Sequence, residues 1–235
     1  MCGRYANFLT DQELIDAFEI AMLADDARLM PPSWNVAPTQ KVILVTASKD
    51  DTSSTNAGKR IGETANWGLV PSWAKDPSVG ARMINARGET VAEKPSFRSA
   101  FAKRRCLIPA SGYYEWHTAG GVKTPYWIHT ADDAPLAFAG LYDFWREKDS
   151  AEDSPWLVTC TIVTTSARDQ MRELHDRQPV MLTDDQRDAW LDPESDKDTL
   201  FDVIAAPAPK LAWYSIGNAV GNVRNNSAEL LKALS

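Results

Sequence analysis

The chain has 235 residues, of which 44% are hydrophobic and 24% charged, with a formal net charge of -7. That is ordinary composition for a globular protein; no apolar run approaches the roughly 20 residues of a membrane helix, and no basic-then-apolar segment opens the chain as in a signal peptide. Composition therefore excludes membrane-spanning and secreted disulfide-scaffold classes, and predicts one domain over residues 1–235 that stays in the cytoplasm, with a monomer as the default.

In chain order, Thr10-Asp11-Gln12-Glu13 fits a capping box, and Leu14, Phe18 and Met22 recur at helical spacing, so a first helix is expected over 11–23. Pro31-Pro32 and Asn35-Val36-Ala37-Pro38 break the chain before a strand at 41–47, and the polar run 48–60 reads as an exposed hairpin loop. Further strands are expected at 65–70, 105–109, 112–117, 125–130, 135–143, 156–164 and 211–216. Helices are expected at 166–174, 183–191, 196–205 and 227–234, the second opening with Thr183 followed three residues on by Gln186. Strands do not alternate regularly with helices and no Gly-rich phosphate loop is present. The pattern disfavours Rossmann and TIM architectures and predicts an α+β fold with a mixed, barrel-like sheet flanked by helices.

Three cysteines, Cys2, Cys106 and Cys160, and three scattered histidines form neither a disulfide framework nor a zinc site, so no metal and no cofactor is expected. Cys106 and Cys160 sit in apolar strand-like settings, where cysteine behaves as a small hydrophobe. Cys2 differs. Loss of Met1 would leave its α-amine and thiol on one carbon, and an aldehyde meeting that pair is captured twice, first as an imine and then as a five-membered thiazolidine ring. Near neutral pH both groups are partly in their nucleophilic forms. Taken alone, Cys2 reads as the residue that happens to follow the start, and position 2 matters only if the rest of the chain builds a site around it.

Other polar residues carry two readings each. Glu115, in Gly112-Tyr113-Tyr114-Glu115-Trp116, is a solvent-facing member of a strand or a partly desolvated carboxylate suited to proton transfer. His175 is a capping histidine or a catalytic imidazole. Asn85 and Asn35 are turn amides or ligands of something polar. Trp73, in Pro71-Ser72-Trp73-Ala74, is core or a stacking platform. Between Arg82 and Arg105 lie seven basic residues against Glu89 and Glu93, while acid collects in 147–153 and 184–198. Screening over about 8 Å lets one basic groove persist on an acidic chain.

Taken together, Met1-Cys2-Gly3-Arg4-Tyr5, Trp34-Asn35-Val36-Ala37-Pro38, Trp67-Gly68-Leu69-Val70-Pro71, Ile84-Asn85-Ala86-Arg87-Gly88-Glu89-Thr90, Gly112-Tyr113-Tyr114-Glu115-Trp116, His175-Asp176-Arg177-Gln178-Pro179 and Val220-Gly221-Asn222-Val223-Arg224-Asn225 resemble the SOS response-associated peptidase family. The resemblance implies a single α+β domain that binds single-stranded DNA at abasic sites and becomes covalently joined to them, associating with the nucleoid when on DNA. It implies Cys2 as nucleophile, Glu115 as general acid and base, His175 assisting sugar opening and the reacting oxygen, and Asn85 orienting cysteine and deoxyribose. DNA contacts implied in the same way are Arg4, Asn35, Trp73, Arg87 and Arg177, with Arg82 and Arg98 beside them. Ala74 and Gln178 depart from the family pattern, the first touching base stacking and the second a phosphate contact. Two other activities fit the same residues: a thiol peptidase whose scope includes its own Met1, and a non-covalent single-stranded DNA-binding module.

Overall fold

A computed structural model describes residues 2–48 and 59–234. Among the described residues thirteen strands run in chain order: β1 (Tyr5–Asn7), β2 (Ile20–Leu23), β3 (Ser33–Val36), β4 (Lys41–Ala47), β5 (Arg60–Trp67), β6 (Asn85–Arg87), β7 (Arg105–Ala110), β8 (Gly112–Ala119), β9 (Val122–Thr130), β10 (Leu136–Trp145), β11 (Leu157–Ser166), β12 (Arg177–Pro179) and β13 (Leu211–Ser215). The α-helices are α1 (Asp11–Phe18), α2 (Asp25–Arg28), α3 (Arg98–Lys103), α4 (Asp184–Leu191) and α5 (Lys197–Ala205).

Strands β10, β7, β4 and β5 pair antiparallel in sequence along the sheet, β10 pairs antiparallel with β11, and β11 closes back onto β5 in parallel. The result is a closed five-strand ring, and closure removes the unpaired edges that an open sheet would present. Alternation along the ring strands sends Val42, Leu44, Ala65, Trp67, Cys106, Ile108, Phe138, Cys160 and Ile162 into one interior cluster. The opposite faces, Ile43, Val45, Leu107, Ala139 and Val163, pack beneath α1, α3, α4 and α5. A second sheet, ordered β13-β9-β8-β1-β3, supplies Tyr5 and Tyr113 to the ring's interior cluster, so it covers the ring's contents. The chain is an α+β protein with a mixed, barrel-like sheet, as its pattern predicts.

Several expectations change at the level of elements. The first helix stops at Phe18 because Glu19 turns left-handed at φ 51°, and residues 20–23 become β2, paired in parallel with β5. Met22 is a strand residue there, 46% exposed, although it continues the helical spacing. Two arginines fix that helix end: Arg60 and Arg187 donate to the carbonyls of Phe18 and Ala17, placing cations where the helix dipole is negative. The expected helix at 166–174 is a 3₁₀ turn, Asp169–Glu173, and that at 227–234 shrinks to another, Ala228–Leu231. The expected strand at 65–70 lies at 60–67 instead, while α4 and α5 stand close to their expected bounds, α4 with the Thr183–Gln186 capping box complete. Strands β8 and β9 form one hairpin through Gly120-Gly121, both at positive φ. Most of the expected 48–60 loop lies outside the described residues; its flanks meet where the Ser48 N–H donates to the Lys59 carbonyl at 2.7 Å.

Candidate functional site

Cys2 is wholly buried and belongs to the cluster that fills the ring. The pairing Tyr5↔Tyr113, and the bond from the Tyr114 N–H to the Arg4 carbonyl at 2.9 Å, run the N-terminal segment antiparallel to β8. Continuing that direction brings Cys2 toward Glu115, two residues beyond Tyr113 and on the same face of the strand. Glu115 is only 4% exposed and electrostatically coupled to the Cys2 sulfur. The solvent-facing reading of Glu115 is thereby excluded. Burial, and after it the Glu115 charge, push the Cys2 thiol far above its ordinary value, with the Arg4 backbone N–H acting in the opposite sense. Burial and the Glu115 charge both favour the protonated thiol over the thiolate.

Asn85 reaches the same point from another part of the fold. The chain leaves the ring at Gly68 (φ 134°) and returns at Gly80, whose backbones touch so closely that a Cβ on Gly68 would stand 2.5 Å from the Gly80 carbonyl oxygen. The Leu69 N–H bonds the Met83 carbonyl, the Trp67 indole N–H bonds the Ile84 carbonyl, and β6 then lies parallel to β11 with Asn85 opposite Ile162. From this position the Asn85 Nδ2 donates to the Cys2 carbonyl at 2.9 Å. Its Oδ1 is buried and has no hydrogen-bond partner among the described residues, an acceptor of the kind that a ligand hydroxyl or amine satisfies.

His175 follows the 3₁₀ turn, and its Nδ1 accepts from the Arg177 backbone N–H at 2.9 Å. That bond leaves the proton of the neutral imidazole on Nε2. The preceding residue, Leu174, joins the Cys2 cluster, and its carbonyl lies 3.3 Å from Nδ1 of His117 on β8. The structure thus brings Cys2, Asn85 and Glu115 together, with His175 held on a neighbouring turn.

The residues expected to meet DNA divide. Trp73 is 63% exposed, and its loop is tied down by the Trp145 indole N–H on the Ala74 carbonyl at 2.7 Å. Arg87 is exposed on β6, and neither it nor Arg82 nor Arg98 forms a side-chain hydrogen bond or ion pair among the described residues. Arg177 instead grips Glu89 with two contacts of 2.5 and 2.9 Å and also donates to the Thr164 carbonyl, holding the Glu89 carboxyl below its usual range. Asn35 is 2% exposed. Its Oδ1 accepts from Arg4, and its Nδ2 faces the carbonyls of Val220, Asn222 and Asn225 at 3.2, 3.1 and 2.7 Å. Arg4 also donates to the Val220 carbonyl. Of the basic run, Arg105 is internal, bonded to the carbonyls of Phe101, Ala102, Trp190 and Asp192, and Arg104 pairs with Asp143. Arg82, Arg87, Lys94, Arg98 and Lys103 stay at the surface. No group of three or more His, Cys, Asp or Glu among the described residues is placed to hold a metal ion.

The fold has solved counterparts. A protein from Bacteroides thetaiotaomicron superposes with a TM-score of 0.81 at 24% identity, covering 98% of this chain and 100% of that one. In sequence, the abasic site processing protein YoaM of Bacillus subtilis is 38% identical over 99% of this chain and 98% of its own length. The abasic site processing protein YedK of Escherichia coli is 30% identical over 99% of both. The family model described as SOS response associated peptidase (SRAP) matches residues 1–223, and with it the order of motifs around Cys2, Asn85, Glu115 and His175 places this chain in that family.

Proposed function

We propose that the protein captures abasic sites in single-stranded DNA as a covalent thiazolidine on Cys2, after Met1 has been removed. The observation that carries this reading is the convergence on one buried cysteine of a carboxylate from β8 and a carboxamide from β6. Relatives named as abasic site processing proteins, matched over nearly their whole length, point to the same substrate.

An abasic deoxyribose is a masked aldehyde, and its ring-opened C1′ is the electrophile. The α-amine adds to C1′; the Glu115 carboxylate takes the proton from the carbinolamine nitrogen and passes it to the hydroxyl, which leaves as water, and a C=N bond replaces C=O. The sulfur then bonds to the same carbon, the π electrons pass to nitrogen, and the thiol proton ends there. One water is released overall. Asn85 holds the Cys2 backbone through its carbonyl and offers Oδ1 to the sugar or the amine. His175, with its proton on Nε2, serves the opening of the sugar and the reacting oxygen. A resting thiol suits this order, because the amine attacks first and sulfur is needed only for closure.

Trp73 stacks on a base beside the lesion, and Arg87, with Arg82 and Arg98, meets phosphates. Arg4, Asn35 and Arg177, whose polar groups are largely engaged within the protein, position the N-terminal segment, the 220–225 segment and β12 rather than lead in DNA contact. In this reading residues 1–235 act as one domain and as a monomer in the cytoplasm, needing no cofactor. Among the described residues no helix is long and apolar enough to cross a membrane.

The deciding experiment is a denaturing gel of single-stranded DNA carrying one abasic site, with Met1-free wild type and Cys2→Ala. Wild type is expected to shift the DNA and Cys2→Ala to leave it free. Equal crosslinking by Cys2→Ala sinks the reading. Binding seen only without denaturant, and steeply weakened by salt, identifies a non-covalent module. Cys2-dependent cleavage of an unrelated peptide identifies a thiol peptidase.

A further inference from the structure

The proposed reaction leaves one buried phenol of the Cys2 cluster without a role. Tyr113 lies on β8 two residues before Glu115, so both side chains leave the same face of the strand. It packs in the cluster that holds Cys2, directly across from Tyr5 and edge-on to Phe138, with ring centroids 5.9 Å apart. The residue is 0% exposed, and its hydroxyl has no hydrogen-bond partner among the described residues. A buried hydroxyl without a partner is costly, and native cores rarely keep one without a use. Burial pushes the phenol well above its ordinary value, and after burial the Cys2 sulfur and then the Glu115 carboxylate contribute, so the hydroxyl keeps its proton and those two groups are its ionisable neighbours. A neutral thiol is a weak acceptor, which explains why the donor stands idle in the resting protein.

We infer that the Tyr113 hydroxyl is a catalytic hydrogen-bond donor to the Cys2 sulfur during ring closure, forming its bond only as the sulfur gives up its proton. The inference rests on Cys2 being the nucleophile of the proposed reaction. No bond to Tyr113 is made or broken. The thiol proton passes to the imine nitrogen, the phenol donates to the thiolate charge that this leaves on sulfur, and the sulfur then bonds to the iminium carbon while the C=N π electrons return to nitrogen. Such a contact, present in the transition state and absent from the ground state, accelerates the step rather than merely tightening binding.

Besides the N-terminal amine, the titratable groups around the pair are Glu115 on β8, Tyr5 on β1, and Cys160 on β11, which couples to Tyr5. Donation to the charged form of a thiol lowers its pKa, so its loss shifts sulfur chemistry to higher pH. Tyr113→Phe keeps the ring and removes only the donor.

The test uses Met1-free full-length protein and abasic single-stranded DNA. Borohydride trapping reports the imine, and acid-stable crosslink without reductant reports the closed ring. Tyr113→Phe is expected to form imine at the wild-type rate and to close the ring roughly ten- to a hundred-fold more slowly, the range set by hydrogen bonds to charged groups. The pH profile of closure should move upward, and the melting temperature should stay equal or rise because an unpaired buried hydroxyl has gone. Ring closure at the wild-type rate with an unmoved pH profile overturns the inference while leaving the Cys2 reading intact. Equal slowing of imine formation also overturns it, because the phenol would then act on the shape of the pocket and not on sulfur. A wild type that never crosslinks removes the Cys2 reading, and this inference with it.

Discussion

The polar residues of this protein fall into an interior set and a rim, and the two are built on opposite terms. Around Cys2, Asn85 comes from β6 and Glu115 and Tyr113 from β8; Glu115, Tyr113 and the Asn85 Oδ1 are shielded from water, and both strands are held by backbone pairing. At the rim, Trp73 stands 63% exposed, and Arg87, Arg82 and Arg98 have no protein partner among the described residues. Chemistry on one carbon needs groups fixed at close range in a dry environment, where each interaction is strong. Holding a flexible polyanion of any sequence needs exposed charge and a flat ring, which act without precise placement. Between the two lie Arg4, Asn35 and Arg177, rim-type residues by sequence whose contacts turn inward.

This contrast is open to direct attack. Cys2→Ala should abolish the denaturant-resistant complex altogether while leaving native binding to intact single-stranded DNA nearly unchanged, as a gel run both ways will show; loss of both would merge the two sets. Asn35→Ala should be the most damaging change among the expected DNA contacts, and through stability rather than binding. It strands buried groups of Arg4 and of the 220–225 segment, so unfolding in denaturant should fall by roughly 2 to 4 kcal/mol. A stable Asn35→Ala protein with weakened DNA binding would return Asn35 to the rim.

Trp73→Ala should do the reverse, keeping the melting temperature and weakening single-stranded DNA binding by about 1 to 3 kcal/mol, measured by fluorescence anisotropy. The smallest effect is expected for Arg87→Ala, which should lower affinity equally for all sequences and reduce the slope of log affinity against log salt by about 0.7. A sequence-dependent loss at Arg87 would show base reading where phosphate contact is proposed.

Legibility in the sequence followed the range of the forces involved. Helices α4 and α5 were readable because caps and periodicity are local. The first helix ran too long in the sequence reading because Met22 keeps helical spacing, while the left-handed Glu19 and the parallel partner β5 are set by residues far along the chain. Strands β1, β3, β6 and β12, three or four residues each, carry no detectable alternation, yet they position Cys2, Asn35, Asn85 and Arg177. Tyr113 passed as one more strand aromatic. Its only local signal was sharing a face with Glu115.

By itself the sequence determined the composition class, the α+β character, the exceptional chemistry available to a cysteine at position 2, and, through the order of its motifs, the family. Those are properties of residue identity and local spacing. Only the tertiary structure decided which polar residues face the sulfur, that Glu115 is buried, that Asn35 and Arg177 are engaged inside the protein, and that burial favours the protonated thiol. Each of these depends on strands far apart in the chain closing one ring and covering it, because burial and pairing are set by what the rest of the chain places alongside.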